Sequence, residues 1–371
     1  MNTSNKTKIV LGLMSGTSMD GIDTTTILSD GIDIYKYYPH YSFKYSKVTQ
    51  KNLFRSFNEI SYFLKDKDAQ EELTYGVTID HYKATEKMIN KTNIIPELIG
   101  FHGQTIYHNA KKRMSLQLGD ATLLAKLLKI DVVSNFRKND IINGGEGAPL
   151  APIYHKLLIK KYKLQLPSCI INIGGISNLT YYDGRNLIGF DTGPGNGLMD
   201  QLIQSISNEK FDEKGKIASK GIINKKLIDI FKNNKYFKKN YPKSLDRHDF
   251  SKIYELIVSE NMSIENKMAT LSELTIQSII ISMNMLPQSP KNILISGGGA
   301  NNIHLIKRLK SVFKQPISLS HEIGISTQRI EADLIAFLAI RCLKKYPITF
   351  PKTTGARKPT IGGDLFKYKK L

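Results

Sequence analysis

Residues suited to holding phosphate recur three times in this chain, each time directly behind a run of β-branched apolar residues. Ile9–Met14 leads into Ser15-Gly16-Thr17-Ser18-Met19-Asp20-Gly21, Ile170–Ile173 into Gly174-Gly175-Ile176-Ser177-Asn178, and Ile293–Ile295 into Ser296-Gly297-Gly298-Gly299-Ala300-Asn301-Asn302. A buried strand that ends in Gly and small hydroxyl residues brings backbone N–H groups close to a ligand. Concavities of that kind bind phosphate. One such turn would say little, because turns need Gly in any case. Three of them, spread over both halves of the chain, predict a nucleotide held in a cleft between two domains.

The first turn packs three hydroxyls, an Asp and two Gly together, and an ordinary hairpin accounts for Gly21 but not for the hydroxyls. Its backbone and hydroxyl groups can meet phosphate oxygens, and Asp20 or Asp23 can sit near a magnesium ion, directly or through water. No Gly-Lys-Ser/Thr occurs here, so it is not a Walker A loop. Asp191, in Phe190-Asp191-Thr192-Gly193-Pro194-Gly195-Asn196, sits where a strand should end in a rigid turn. A carboxylate fixed in that way is a candidate general base. The competing reading, a cap for the helix starting near Asn196, is weakened because Asn196 can cap that helix itself.

His102-Gly103-Gln104-Thr105 offers imidazole, amide and hydroxyl groups of the kind that bind sugar hydroxyls, although a lone His is more often structural. Arg137 and Glu146 could orient a substrate; taken singly, each is an ordinary surface charge. Asn178 and Asn301-Asn302 follow glycine turns, where Asn contacts phosphate or base or simply adopts left-handed backbone.

The elements that must position these groups read as follows. Strands are expected at Ile9–Met14, Gly21–Leu28, Asp33–Tyr38, Ile94–Phe101 and Ile130–Val133, with helices at Asp66–Asn90, Ala121–Leu128 and Pro149–Lys161. The second half repeats the rhythm. Strands are expected at Ser168–Ile173, Leu179–Asp183, Asn186–Phe190, Asn292–Ser296 and Gln315–Leu319. Helices are expected at Gly197–Ser207, Lys225–Asn233, Ser263–Met285, Ile303–Phe313 and Gln328–Leu343, with a loop-like tail after Tyr346. Each half opens with three strands and continues through alternating helices and strands. That duplication predicts two related α/β domains, residues 1–165 and 166–371, with the last helix packing back on the first domain.

A length of 371 residues suits two domains, and 41% hydrophobic with 23% charged residues is a globular composition. Cys169 and Cys342 lie in apolar runs and read as buried hydrophobes rather than a disulfide. No signal peptide and no membrane-spanning run is legible, which predicts a cytoplasmic protein. The net charge of +20 raises nucleic acid or a membrane as partner. The lysines are scattered among Asn and Ile, with no arginine-rich arm and no basic stretch interleaved with aromatics, so neither partner is expected.

The same motifs resemble the anhydro-N-acetylmuramic acid kinase family. The resemblance rests on Gly12–Asp23, His102–Thr105, Gln117–Asp120, Phe136-Arg137, Gly144–Leu150, Asn172–Asn178, Phe190–Asn196 and Gly297–Asn302, in order along nearly the whole chain. It implies membership in the sugar kinase, Hsp70 and actin superfamily: two actin-like ATPase domains of ribonuclease H-like fold around a central cleft. It implies a kinase that uses ATP, Mg2+ and water on 1,6-anhydro-N-acetylmuramic acid, giving N-acetylmuramic acid 6-phosphate and ADP in cell-wall recycling. It assigns the base to Asp191, the ATP phosphates to Gly16, Thr17, Ser18, Met19, Asp20, Gly21, Ile22 and Asp23 and to Gly174, Gly175 and Asn178, and the adenosine side to Gly297, Gly298 and Gly299. His102, Gln104, Thr105, Arg137 and Glu331 are the implied sugar contacts, and Asp20 the magnesium residue. A homodimer is compatible with the family, with no interface legible. Two departures stand out: Leu245-Asp246-Arg247 replaces the usual Thr-Gly-Arg, and Glu146 stands where Gln is common. Altered substrate contacts are the expected result. A chaperone-like member of the superfamily would need a further substrate-binding domain, for which the tail after Tyr346 is too short.

Overall fold

The computed structural model describes residues 7–16, 19–109, 112–245, 249–327 and 329–368. Twelve strands run through them: β1 Lys8–Ser15, β2 Gly21–Ser29, β3 Ile34–Lys44, β4 Leu98–Asn109, β5 Met114–Leu118, β6 Val132–Ser134, β7 Ser168–Ile173, β8 Ile176–Tyr182, β9 Leu187–Pro194, β10 Asn292–Ser296, β11 Ile317–Leu319 and β12 Asp364–Phe366. The chain divides into two compact units. One comprises Met1–Leu157, Gln328–Pro351 and Gly355–Leu371; the other comprises Leu158–Thr327 and Lys352–Thr354.

In the first unit the sheet order is β12-β6-β4-β1-β2-β3, with β5 added beside β4. Strands β1, β2 and β3 are antiparallel neighbours, and β4 joins β1, then β6 joins β4, in parallel. The second unit has the order β11-β10-β7-β8-β9. Again the first three strands, β7 to β9, are antiparallel, and β10 and β11 follow in parallel. Helix Lys67–Thr92 precedes the fourth strand of the first unit, and helix Ile264–Met283 precedes that of the second. Helices Ala121–Leu128 and Ile303–Val312 precede the respective fifth strands. Three antiparallel strands followed by two parallel ones through helical crossovers is the ribonuclease H-like order. Its occurrence twice in one chain is the actin-like ATPase architecture.

Local sequence explains these elements. The inner strands are apolar on both faces, as strands of a covered parallel sheet must be: Val10, Leu11 and Leu13 in β1, Cys169, Ile170 and Ile171 in β7 are buried. Helix ends carry caps: Asp66 accepts from the Ala69 N–H, Asp120 from those of Thr122 and Leu123, Ser263 from that of Asn266.

Helix Ile330–Leu343 follows the second unit in sequence but belongs to the first. It approaches β1 so closely that a Cβ at Gly12 would lie 2.0 Å from the Ala332 carbonyl oxygen, so only glycine fits there. A buried pair anchors the start of the helix. Arg329 donates to both carboxylate oxygens of Asp333 at 2.7 and 3.0 Å, and Thr25 of β2 donates to the same group at 2.9 Å.

Three expectations are corrected. Strand β4 starts at Leu98 and runs through His102–Thr105 to Asn109, so that motif lies inside a strand rather than behind one. Strand β9 continues to Pro194, so Asp191 is within it. The tail is not all loop, because β12 pairs with β6. Among the described residues no helix is long and apolar enough to cross a membrane.

Candidate functional site

In the first unit the strand register gathers the first glycine turn. Ser15 at the end of β1 is opposite Gln104 of β4, and Met14 is opposite Asp23 of β2. Thr17 and Ser18 lie outside the described residues. Gly16 accepts at its carbonyl from the Met19 N–H at 3.2 Å, and Met19 takes left-handed backbone with φ 56°. Gln50 Nε2 donates to the Met19 carbonyl at 3.1 Å. Asp20 is exposed and Ile22 is buried. Gly21 opens β2. The Ser42 hydroxyl donates to Asp23 Oδ1, and His40 Nε2 lies 3.4 Å from that oxygen.

Behind this turn runs a buried relay. Gln104 Nε2 donates to the Gly16 carbonyl at 3.0 Å. The Tyr45 hydroxyl donates to Ser15 Oγ at 2.8 Å, with Gln104 Oε1 3.2 Å away. Ser15 Oγ lies 2.8 Å from His81 Nε2, and His81 Nδ1 lies 2.7 Å from the Val77 carbonyl. A carbonyl accepts only, so Nδ1 carries the proton, Nε2 accepts, and Ser15 is its donor. Burial pushes the His81 pKa down to about 4, which keeps the ring neutral. Gln104 was expected among the sugar contacts. Its side chain is instead fully buried and engaged with the turn. Thr105 is half-buried, and its hydroxyl lies 3.5 Å from Gln117 Nε2.

Buried His102 and half-buried Arg137 form a second arrangement. Arg137 directs Nε and Nη2 at His102 Nε2, at 3.2 and 3.1 Å, and donates from Nη1 to the Gly147 carbonyl at 2.7 Å. Burial first, and the Arg137 charge second, push the His102 pKa down to about 3. His102 is therefore a neutral acceptor that orients Arg137. The loop around Glu146 is held from the other side by Asp140, whose Oδ2 accepts from the Gly147 N–H at 2.8 Å. Glu331 stands in the first turn of helix Ile330–Leu343 with solvent access at its side chain. Desolvation by the atoms crowded around it raises its pKa, Asp23 adds to the rise, and Arg137 opposes it. Asp23, Arg137 and Glu331 thus share one electrostatic neighbourhood.

In the second unit two glycine turns nest on the end of the sheet. The carbonyl of Gly174 accepts from the Asn196 N–H at 2.7 Å, and that of Gly175 from the N–H groups of Gly195 and Gly197 at 3.0 and 3.1 Å. Asn196 precedes helix Gly197–Ile206 but its side chain does not cap it; Nδ2 reaches the Ile173 carbonyl at 3.4 Å. The third turn packs on the same strand end. Gly297 has φ 80°, and a Cβ there would lie 2.5 Å from Asn172 Oδ1. Gly299 packs on Ile173. A Cβ on Gly175 would meet no atom within 4 Å, and one on Gly298 would meet only Asn196 Nδ2, at 3.5 Å. Those two glycines therefore present open backbone.

Asn178 does not lie in the turn. It sits in β8, opposite Asn172 of β7 on one side and Asp191 of β9 on the other. With Ser296 of β10 opposite Asn172, a polar row crosses four strands, and residues directly opposite in a sheet share a face. Asn178 Oδ1 has no hydrogen-bond partner.

Asp191 is buried and is held by a segment of which the sequence reading noticed only the end at Leu245. Its Oδ2 accepts from the Leu245 N–H at 2.9 Å. Its backbone N–H donates to the Lys243 carbonyl at 3.0 Å, and its carbonyl accepts from the Tyr236 hydroxyl. Leu245-Asp246-Arg247 was legible only as a departure from the family pattern, and Asp246 and Arg247 lie outside the described residues. The polar row could have been read from Asn172, Asn178 and Asp191 once the strands were paired. Ser15, Tyr45 and His81 carry no such signal. A carboxylate fixed in this way can take a proton from water along a defined direction.

The family model for anhydro-N-acetylmuramic acid kinase matches residues 8–368. The chain is 40% identical to the anhydro-N-acetylmuramic acid kinase of Pelagibacter ubique (strain HTCC1062) over 373 residues, covering 96% of this chain and 98% of the relative. It is 36% identical to that of Zymomonas mobilis subsp. mobilis (strain ATCC 31821 / ZM4 / CP4), covering 96% of this chain and 99% of the relative. The solved activator of the 2-hydroxyisocaproyl-CoA dehydratase from Clostridium difficile with bound ADPNP covers 91% of this chain and 96% of its own, at a TM-score of 0.43 and 14% identity, too distant to add to the strand-order argument.

Proposed function

The chain belongs to the anhydro-N-acetylmuramic acid kinase family, and on that premise we propose that it converts 1,6-anhydro-N-acetylmuramic acid, ATP and water into N-acetylmuramic acid 6-phosphate and ADP. The reaction serves cell-wall recycling and is placed in the cytoplasm, where ATP is supplied. The observation that carries the reading is Asp191, a carboxylate held on a sheet edge at Oδ2 and at both backbone groups.

The substrate dictates why a base is needed. In the anhydro sugar O6 is bonded to C1 and bears no proton, so it is not a nucleophile towards ATP. Water attacks C1 and gives a proton to Asp191. The C1–O6 bond breaks, its electron pair stays on O6, and O6 takes the γ-phosphoryl group while ADP leaves. A positioned base contributes about 10²- to 10⁴-fold. Positioning and neutralisation of phosphate charge supply the rest.

The open backbone at Gly175 and Gly298 suits phosphate and nucleotide groups, and we assign the ATP phosphates to Gly16–Asp23 and to Gly174-Gly175, with the adenosine side at Gly297–Gly299. Asn178 is assigned to the base rather than the phosphates, because it is the cross-strand partner of Asp191. Arg137 and Glu331 are the sugar contacts we favour, with His102 and Gln104 acting behind them. A magnesium ion keeps most of its waters and needs only one or two carboxylates. Asp20, exposed in the first turn, would supply one, and the bound ion would neutralise developing phosphate charge.

The test is ADP release from the purified protein given ATP, Mg2+ and the anhydro sugar, with mass spectrometry of the product. A sugar that has gained both a phosphate group and the elements of water supports the coupled ring opening. No ADP release with this sugar, in a protein shown to bind ATP, removes the substrate assignment.

A further inference from the structure

Strand β9 is the outer strand of its sheet. An outer strand presents unpaired N–H and C=O groups along its free edge. At Asp191 that edge is covered by a strap, residues 236–245, rather than by another strand. The strap grips Asp191 three times: at its carbonyl through the Tyr236 hydroxyl, at its N–H through the Lys243 carbonyl, and at Oδ2 through the Leu245 N–H. The first grip lies at one end of the strap and the other two at its far end.

The two ends are joined by one side chain. Lys243 is 2% exposed. Its Nζ donates to the Tyr236 carbonyl at 3.4 Å and lies over two rings, 4.5 Å from the Tyr236 centroid and 5.6 Å from that of Phe190. Met285 Sδ is 3.4 Å away. Among the described residues no carboxylate pairs with this ammonium. A cation over aromatic faces gains attraction that grows as water is removed. Phe190, the residue before Asp191, also stacks on Tyr241 of the strap at 5.5 Å with the planes 13° apart. Burying a cation is costly, and among the described residues this one is met at the crossing point of the strap by a carbonyl, two ring faces and a thioether rather than a carboxylate. Burial, with the nearby Lys239 charge, brings its pKa down to about 8, so it is mostly charged at neutral pH.

We propose that Lys243 is a positioning residue for Asp191: its ammonium ties Tyr236 to the far end of the strap, so that the Leu245 N–H holds the carboxylate oxygen Oδ2 in the direction the attacking water requires. The proposal rests on Asp191 being the base of the function proposed above. It assigns Lys243 no contact with the substrate. Removing its charge should therefore misplace the base and leave nucleotide binding alone.

The experiment compares wild type, Lys243→Met, Lys243→Arg and Tyr236→Phe in the coupled ADP-release assay, with kcat and the KM for ATP measured separately and folding checked by thermal melting. A misplaced catalytic group costs about 10- to 100-fold. We expect Lys243→Met to lose kcat by about that factor with the ATP KM within about twofold, and Lys243→Arg to recover most of it. Placed in an Asp191→Asn background, Lys243→Met should cause no further loss, because both act through one group. Unchanged kcat in a folded Lys243→Met protein overturns the proposal, as does a fully additive double variant. If Lys243→Met does not fold, Tyr236→Phe decides. Loss of kcat in the folded protein supports the strap, and wild-type kcat overturns it. An inactive wild type would instead overturn the proposed function, so the two failures are distinct.

Discussion

The two sheets share one strand order but hold their working groups by opposite means. In the first unit, side chains grip backbone: Gln104 reaches the Gly16 carbonyl, and Tyr45, Ser15 and His81 stand behind it. In the second, backbone grips a side chain: the Leu245 N–H holds the carboxylate of Asp191. Under the proposed function, the difference follows from what each half has to offer. A phosphate turn works through main-chain N–H groups, so its carbonyls are fastened from the rear and its front stays open. A base works through one carboxylate oxygen, so the main chain itself must set its direction. Topology thus dictates where a site can form at the strand ends, and the local fastening dictates which chemistry it serves.

The comparison breaks most visibly at Asp191. Replacing it by Asn keeps the shape and the Leu245 contact but removes the proposed proton acceptor. Turnover should fall by at least about 10²- to 10⁴-fold, while ATP binding measured by calorimetry persists. Retained turnover would take the base away from the second unit.

Acid titration addresses the first unit. His81 and His102 are held neutral with pKa values near 4 and 3, against an ordinary 6.5. The unfolded chain takes up these protons first. Stability is therefore intact above about pH 6.5 and falls as the pH drops towards 4, each ring steepening the loss by about 1.4 kcal/mol per pH unit. Urea unfolding at stepped pH should show that slope, and His81→Asn should reduce it by about one proton. An identical slope in that variant would mean that His81 is not neutral in the fold.

Gln104→Leu removes the side-chain donor to the half-buried Gly16 carbonyl, which keeps the Met19 N–H, and should destabilise by about 0.5–1.5 kcal/mol. Its kinetic signature should be a raised KM for ATP with a smaller change in kcat, the reverse of Lys243→Met. Equal effects on both parameters would erase the distinction between the two fastenings. The smallest effect on the fold is expected from Gly175→Ala, where the added methyl meets no atom of the protein. Melting temperature should stay within about 1–2 °C, since surface changes of this kind lie within about 0.5 kcal/mol, and any rise in the ATP KM then reports ligand contact directly.

The sequence was legible wherever the signal is local. Runs such as Ile170–Ile173 mark inner strands, and Gly or small hydroxyl residues mark their ends. Asp66, Asp120 and Ser263 announce helix starts within a residue or two of where the helices begin. The motifs around Asp191, Gly174 and Gly297 follow from the same cues. Partnerships across long separations were not legible. Gln104 looks like a sugar-binding amide until its partner is found to be Gly16, 88 residues earlier. Asn178 follows a glycine turn, and only the register across β7, β8 and β9 reveals its neighbour. His102–Thr105 breaks the apolar pattern, so β4 seemed to stop there. Buried partners on both sides carry it onward. Nothing in the period of residues 236–245 announces a strap, because its order comes from the edge it covers.

The intimate contact between Gly12 and the backbone of Ala332 has a consequence for biosynthesis. Strand β1 leaves the ribosome well before the helix that covers it, and the whole stretch Leu158–Thr327 of the second unit is made between them. The intervening unit can collapse while β1 and its neighbours still wait for their cover. The amino-terminal sheet is therefore the later of the two to be sealed, and a nascent chain halted before residue 330 should expose that apolar face to chaperones and proteases, although every strand of the sheet's β1–β4 core has already been made.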